Sequence, residues 1–201
     1  MKLYFSPGAC SLSPHIVLLE AGLDFSAERV DLRAKLTAGG ADFRAINPKG
    51  YVPALALDDG SVLTEGPAIV QFLADLAPGA GLLPPVGDAA RYKIISWLSF
   101  ISSELHKNFN AFFNPAASDD MKAHARKILA VRLEYVAAQL GNGDYLEGGF
   151  SVADAYLFTA LGWADVVKLD LAAWPVLGAY RARIGARPAV QQALRAEGLI
   201  K

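Results

Sequence analysis

The chain has a single cysteine, Cys10, and its setting is the first place to look for chemistry. A short strand predicted over Lys2–Phe5 runs into a Ser6-Pro7-Gly8 break, and Cys10 follows at or just before the start of a helix. Free backbone N–H groups and the positive end of a helix dipole stabilise a thiolate at such a position. The hydroxyls of Tyr4, Ser6, Ser11 and Ser13 lie close in sequence and offer hydrogen bonds to a sulfur. The same position also suits an inert cysteine packed under a sheet. With no Cys-x-x-Cys, Cys10 has no resolving partner in its own loop.

Two further places carry polar groups before apolar runs. The proline of Val52-Pro53 marks a strand start or an edge; a cis bond there would instead turn the Val52 N–H and C=O toward an extended ligand. Glu65-Gly66 precedes a helical run. Glu65 either compensates the helix dipole or meets an ammonium, while the first N–H groups receive a carboxylate. His106 and Lys107 follow Glu104 beside the apolar seam of a later helix, where a surface or interface role is equally open. His15 reads as structural. Three histidines (His15, His106, His124) and one cysteine give no zinc-ligand spacing, so no metal is expected. Gly39-Gly40 and Gly141–Gly143 lack the flanks of a nucleotide-binding loop, and Gly-x-Ser-x-Gly is missing.

These residues need elements to hold them. After Lys2–Phe5, a helix is predicted over Ser11–Ala21, with Pro14 tolerated in its first turn and Gly22 ending it. Phe25–Val30 reads as a second strand; Asp31–Asn47 is broken by Gly39-Gly40, with a short helix near Asp42–Ile46. Asn47-Pro48-Lys49-Gly50 is a turn, and Val52–Leu57 and Ser61–Leu63 form a hairpin across Asp58-Asp59-Gly60. A helix over Glu65–Leu76 then shows Ile69, Phe72, Leu73 and Leu76 on one face. Four strands in a mixed sheet with helices against it bury this pattern most simply.

Pro78-Gly79-Ala80-Gly81 and Pro84-Pro85 mark a shift in composition, after which strand patterns cease. Ile94, Leu98, Ile101, Leu105, Phe109 and Phe112 predict one long amphipathic helix over Arg91–Phe113. A second runs over Asp119–Leu140 with Ile128, Val131, Leu133 and Val136 as its apolar side, and Gly141-Asn142-Gly143 stops it. Ser151 caps a third, with Asp154 reaching back in a capping box. Further helices are predicted over Ala173–Ile184 and Ala189–Ala196. The expected architecture is α/β plus all-α, with domains at 1–80 and 87–201.

Composition narrows the function. The chain has 201 residues, 53% hydrophobic and 19% charged, with a formal charge of −1, which is a folded protein and no nucleic-acid scaffold. The apolar stretch Val152–Val167 contains Asp154 and Asp165 and is short for a membrane span. The N-terminus lacks the basic and apolar segments of a signal peptide, and one cysteine makes no internal disulfide, so a cytoplasmic protein is expected.

Pro7-Gly8-Ala9-Cys10-Ser11, Asn47–Pro53, Leu63–Ile69, Glu104-Leu105-His106-Lys107 and Ser151–Tyr156 together resemble the bacterial beta-class glutathione S-transferases, in order and over nearly the whole chain. The resemblance implies a thioredoxin-like N-terminal domain, a helical C-terminal domain and glutathione as co-substrate, with no tightly bound cofactor. It places Cys10 against the glutathione sulfur, able to form a mixed disulfide, with Ser11 near the same sulfur. Lys35 would approach the glycine carboxylate. Val52 would bond the cysteinyl backbone, with Pro53 cis, and Glu65 and the Gly66 N–H would hold the γ-glutamyl end. His106 and Lys107 would line the site. Ser99 stands where the family often has an asparagine facing the partner subunit's site, in an expected homodimer. Phe109, Phe112, Phe113 and Trp163 could wall an apolar second substrate or belong to the helical core.

The implied reaction is attack of the glutathione thiolate on a hydrophobic electrophile. A glutathione-dependent thiol-disulfide or peroxide reductase is the nearest alternative, because a cysteine thiolate beside glutathione invites exchange. A non-catalytic protein holding glutathione or hydrophobic ligands is the third.

Overall fold

A computed structural model describes all residues, 1–201. Alternation along the first strand sets the layers. In β1 (Lys2–Phe5), Leu3 and Phe5 enter the main core, while Tyr4 enters a smaller cluster with Val30, Phe43, Val52 and Ala54 on the opposite face. β1 is central: it pairs parallel with β2 (Ser26–Asp31) and antiparallel with β4 (Ala54–Ala56). β4 pairs antiparallel with β5 (Val62–Thr64). The sheet has a fifth strand beyond the four expected, β3 (Leu36–Thr37), antiparallel on the edge of β2. Two residues offer no alternation to read, and β3 exists because the chain folds back after an Asp31 turn whose carboxylate accepts from the Arg33 and Ala34 N–H groups.

Helix α1 (Leu12–Glu20) and helix α3 (Gly66–Leu76) cover the main-core face, and α2 (Phe43–Ile46) covers the other with Phe43. In α3 the buried face is Ile69, Val70, Leu73 and Ala74; Leu76 is exposed at the end of the helix.

All later elements are helical. α4 (Ala89–Phe100) continues through a π-helical segment, Ile101–His106, into α5 (Lys107–Phe113), so the long predicted helix forms but carries one widened turn. α6 (Asp119–Leu140) is capped by Ser118 and buries Ala125, Leu129, Leu133, Val136 and Leu140. Val131 was expected on that face and is 61% exposed; helical spacing from Leu129 and Leu133 turns it outward. α7 (Val152–Val166) is apolar around most of its circumference and forms the centre of the helical half. Its capping box is present, and all four donors around Asp154 (Ser151 N and Oγ, Leu146 N, the Tyr180 hydroxyl) lie within 3.0 Å. α8 (Pro175–Gly185) and α9 (Pro188–Ala196) complete the fold.

The halves share one core, since α1 packs on α7 and α9 as well as on α3. Paired charges cross the same junction: the Arg187 guanidinium donates two bonds to the Glu20 carboxylate, at 2.6 and 2.8 Å.

Candidate functional site

Between the sheet's Cys10 edge and the π-helical turn lies a cleft of about 770 Å³. Its sheet side is built by three loops: Ser6–Cys10 after β1, Tyr51–Pro53 before β4, and Glu65–Pro67 at the start of α3. Its helical side is Ser102, His106, Lys107, Asn110 and Phe113 from one helical run, with Tyr156, Trp163 and Val166 from α7. Leu199, beyond α9, closes one edge.

Cys10 sits in the turn before α1 and donates its thiol to the Val52 carbonyl at 3.2 Å. The Val52–Pro53 bond is cis. The expected thiolate stabilisation is outweighed. Burial pushes the Cys10 thiol up to about 12, against smaller opposing contributions from the backbone N–H groups of Cys10 and Ser11. The neighbouring groups are neutral too. Burial lowers the pKa of half-buried His106, and burial raises that of the Tyr156 hydroxyl, which lies 2.7 Å from His106 Nδ1. The His106 ring also rests against Trp163, centroids 4.7 Å apart.

Glu65 is a different case. It adopts φ 72°, a backbone region that non-glycine residues seldom occupy, and its side chain faces solvent. Oε1 accepts from Lys49 Nζ and from the Tyr51 hydroxyl at 2.9 Å, and the Lys49 hydrogen bond is the main reason its carboxyl stays below the usual range. Gly66 N1 of α3 follows, with Pro67. Lys49 and Tyr51 were not among the residues singled out, although both sit in the quoted Asn47–Pro53 block; their roles become visible only when β4 and α3 bring that block to Glu65.

Of the other expected residues, Ser11, Lys35 and Ser99 fall outside the cleft. Ser11 is fully buried and staples its own loop, its Oγ accepting from Ser6 N at 3.1 Å and lying 3.3 Å from Ser6 O. Its hydroxyl is therefore turned away from the cleft, while its backbone N–H lies by the Cys10 sulfur. Lys35, at φ 60°, donates to the Gly50 carbonyl at 2.7 Å beneath the Tyr51 loop. The Ser99 hydroxyl turns back to Ile95 O at 3.0 Å on an exposed helix face. Phe109 is core, Phe112 is half-buried under the Arg126 guanidinium, and Phe113 and Trp163 are cleft wall. No group of three or more His, Cys, Asp or Glu side chains is arranged to hold a metal ion.

A mixed sheet that presents a cysteine loop and a cis-proline loop to a wall of helices defines a thioredoxin-like domain joined to an all-helical one. Residues 8–76 match the glutathione S-transferase N-terminal domain family and residues 100–188 the glutathione S-transferase C-terminal domain family. Glutathione S-transferase GstA of Escherichia coli O157:H7 is 50% identical over 200 residues, 99% of this chain and 100% of that one. A sphingomonad glutathione S-transferase solved with glutathione superposes with a TM-score of 0.96 at 51% identity, covering 100% of both chains. A beta-class enzyme of Sphingomonas chungbukensis gives 0.97 at 48% identity, again over 100% of both. The chain belongs to the glutathione S-transferase family, in its bacterial beta class.

Proposed function

We propose that this protein conjugates the thiol of reduced glutathione to hydrophobic electrophiles in the cleft between its two halves. The observation that carries the reading is the convergence of Cys10, Val52 and Glu65 on one cavity that also has an aromatic wall. Glutathione bears two carboxylates and one ammonium. The Glu65 carboxylate suits the ammonium, and the N-terminus of α3 at Gly66 suits the adjoining carboxylate. Val52 offers main-chain bonds to the cysteinyl residue, Lys107 carries charge toward the remaining carboxylate, with Lys35 held at the Gly50 carbonyl outside the cavity, and Trp163, Phe113 and Val166 receive the apolar substrate. In this reading residues 1–80 form the glutathione-binding domain and 87–201 supply the second wall.

The glutathione sulfur arrives beside the Cys10 thiol and the Tyr156 hydroxyl, both protonated at neutral pH, and beside uncharged His106. Neutral donors stabilise a thiolate without competing for its proton, and the enclosed geometry raises the effective concentration of the electrophile. The glutathione thiol gives up its proton to solvent, the thiolate attacks the electrophilic carbon, an S–C bond forms, and the leaving group departs with the electron pair.

A redox reading is favoured by the position of Cys10 alone, and its raised pKa argues that exchange is the slower activity. The deciding experiment compares wild type with Cys10→Ala by mass spectrometry and by paired assays with a model electrophile and a glutathione mixed disulfide. Conjugation should persist within about tenfold, while the glutathione adduct and disulfide exchange disappear. Loss of neither activity would remove Cys10 from the site.

A homodimer is part of the same proposal. Exposed Tyr92 and Tyr135 and half-buried Phe100 around Trp97, where α4, the helix that carries Ser99, meets α6, form a surface suited to a second copy. No helix is long and apolar enough to cross a membrane. A free single cysteine and a need for reduced glutathione fit a cytoplasmic enzyme.

A further inference from the structure

Glu197, just past α9, is a buried carboxylate that the proposed reaction does not use. Its side chain is 0% exposed, and each oxygen has its own partner. Oε2 accepts the Gly8 N–H at 2.9 Å, across 189 residues of sequence, and Oε1 lies 2.9 Å from His15 Nδ1. The His15 ring is held between Phe5 and Phe25, so the carboxylate has a fixed seat on the α1 side. From the other direction the Trp163 indole donates to the Gly8 carbonyl at 2.8 Å. Gly8 thus has its N–H and its C=O both taken by residues of the helical half. Its φ of 70° is one that glycine adopts without strain, and a Cβ there would meet Leu199 at 3.5 Å.

Gly8 lies two residues before Cys10 in the loop that Ser11 staples to Ser6. A buried carboxylate is unfavourable unless both oxygens are paired, and α9 already docks through Val190 and Ala193, which need no charge. What the carboxylate adds is a directed bond to this one loop.

We propose that Glu197 is a positioning residue for the sulfur end of the glutathione site: by fixing Gly8 it holds the backbone that keeps Cys10 against Val52. The role rests on the glutathione reading above. Trp163 completes the clamp, so the wall that receives the apolar substrate and the loop that receives the sulfur are held by the same peptide.

Cys10 is the chain's one cysteine, so alkylation by iodoacetamide reports on it alone. The experiment measures that rate at fixed pH 8, with KM and kcat for glutathione, in wild type, E197A, E197D and E197Q. Gln keeps an acceptor for Gly8 and a group for His15; Asp is one methylene too short to reach both. Alkylation should rise at least about fivefold in E197A and E197D as the sulfur gains solvent, with KM for glutathione up about tenfold and kcat within about threefold. E197Q should stay within about twofold of wild type on each measure. Folded E197A and E197D that alkylate at the wild-type rate would overturn the proposal, as would E197Q behaving like E197A. If neither shortened variant folds, hydrogen exchange of the wild-type Gly8 amide decides: protection like that of α1 supports the clamp, and exchange at open-loop rates overturns it. Faster alkylation with unchanged KM would overturn the role of Glu197 toward glutathione, whereas a wild type that does not turn over glutathione would overturn the glutathione reading itself, which separates the two failures.

Discussion

The cleft joins two surfaces of opposite character. Around Glu65 the polar groups are charged and wet: the carboxylate is 54% exposed, and Lys49 and Tyr51 hold it ionised. Around Cys10 they are neutral and enclosed, and burial drives the thiol, the Tyr156 hydroxyl and the His106 ring all toward their uncharged forms. Desolvation decides the second surface and hydrogen-bonded charge decides the first. The lesson is a division of labour. The exposed surface recognises charges that the ligand brings, whereas the dry surface contributes no charge and leaves the reacting sulfur as the single anion there.

The largest test of this contrast is Cys10 itself. A thiol raised to about 12 from 9.0 bears little thiolate at pH 8, so its alkylation should run roughly a hundredfold or more below that of a free peptide thiol. The rate should still climb without a plateau beyond pH 10; a plateau near pH 7 would mean the surface is charged after all. Next is Glu65→Ala, which removes the ligand ammonium's partner. KM for glutathione should rise about 30- to 100-fold, as hydrogen bonds to charged groups are worth about 1.5–3 kcal/mol. Glu65 is held below the usual carboxylate range, so its charge persists as pH falls through that range and is lost only at lower pH. Glutathione affinity should therefore hold at pH 5; a tenfold loss there, traced to Glu65, would contradict its pairing.

Tyr156→Phe probes the dry side more gently. His106 Nδ1 loses its 2.7 Å partner, which should lower stability to urea by about 1–2 kcal/mol and reduce kcat severalfold. An unchanged kcat would make the hydroxyl a packing group. Lys49→Met should have the smallest effect on stability, because an exposed ion pair contributes little. The same variant should let the Glu65 carboxyl rise toward its usual pKa, as followed by NMR titration.

Most elements were legible because their patterns are local. β1 begins and ends where the apolar run and the Ser6-Pro7-Gly8 break say, and α6 spans Asp119–Leu140 as its periodicity predicts. What the local pattern misses has physical causes. Val131 is apolar in type but stands off the seam defined by Leu129 and Leu133, so residue type misled where spacing would not. Lys35 and Glu65 take positive φ although neither is glycine, so residue type gives no sign of it. Ser11 faces its own loop because Ser6 captures its hydroxyl, which nearness in sequence to Cys10 does not reveal. The Lys49–Tyr51–Glu65 cluster and the Glu197–Gly8 bond join distant segments and have no local signature.

The widened turn at Ile101–His106 has a consequence for length. Buried Ile101, Leu105 and Phe109 follow one another at steps of four, and each such step overshoots a 3.6-residue turn by about 40°. The Lys107 N–H reaches back five residues to Ser102 O, which absorbs that drift and keeps Ser102 and His106 beside the cleft while the seam stays buried. A shortening by one residue within this turn would restore an ordinary 3.6-residue turn and leave the two flanking parts in nearly their present phase, because the widened turn holds its extra residue in about the same total rotation. Ile94 and Leu98 on one side and Asn110 and Phe113 on the other would then keep their faces, so a deletion here should leave the fold intact and disturb instead the places of Ser102 and His106 at the cleft.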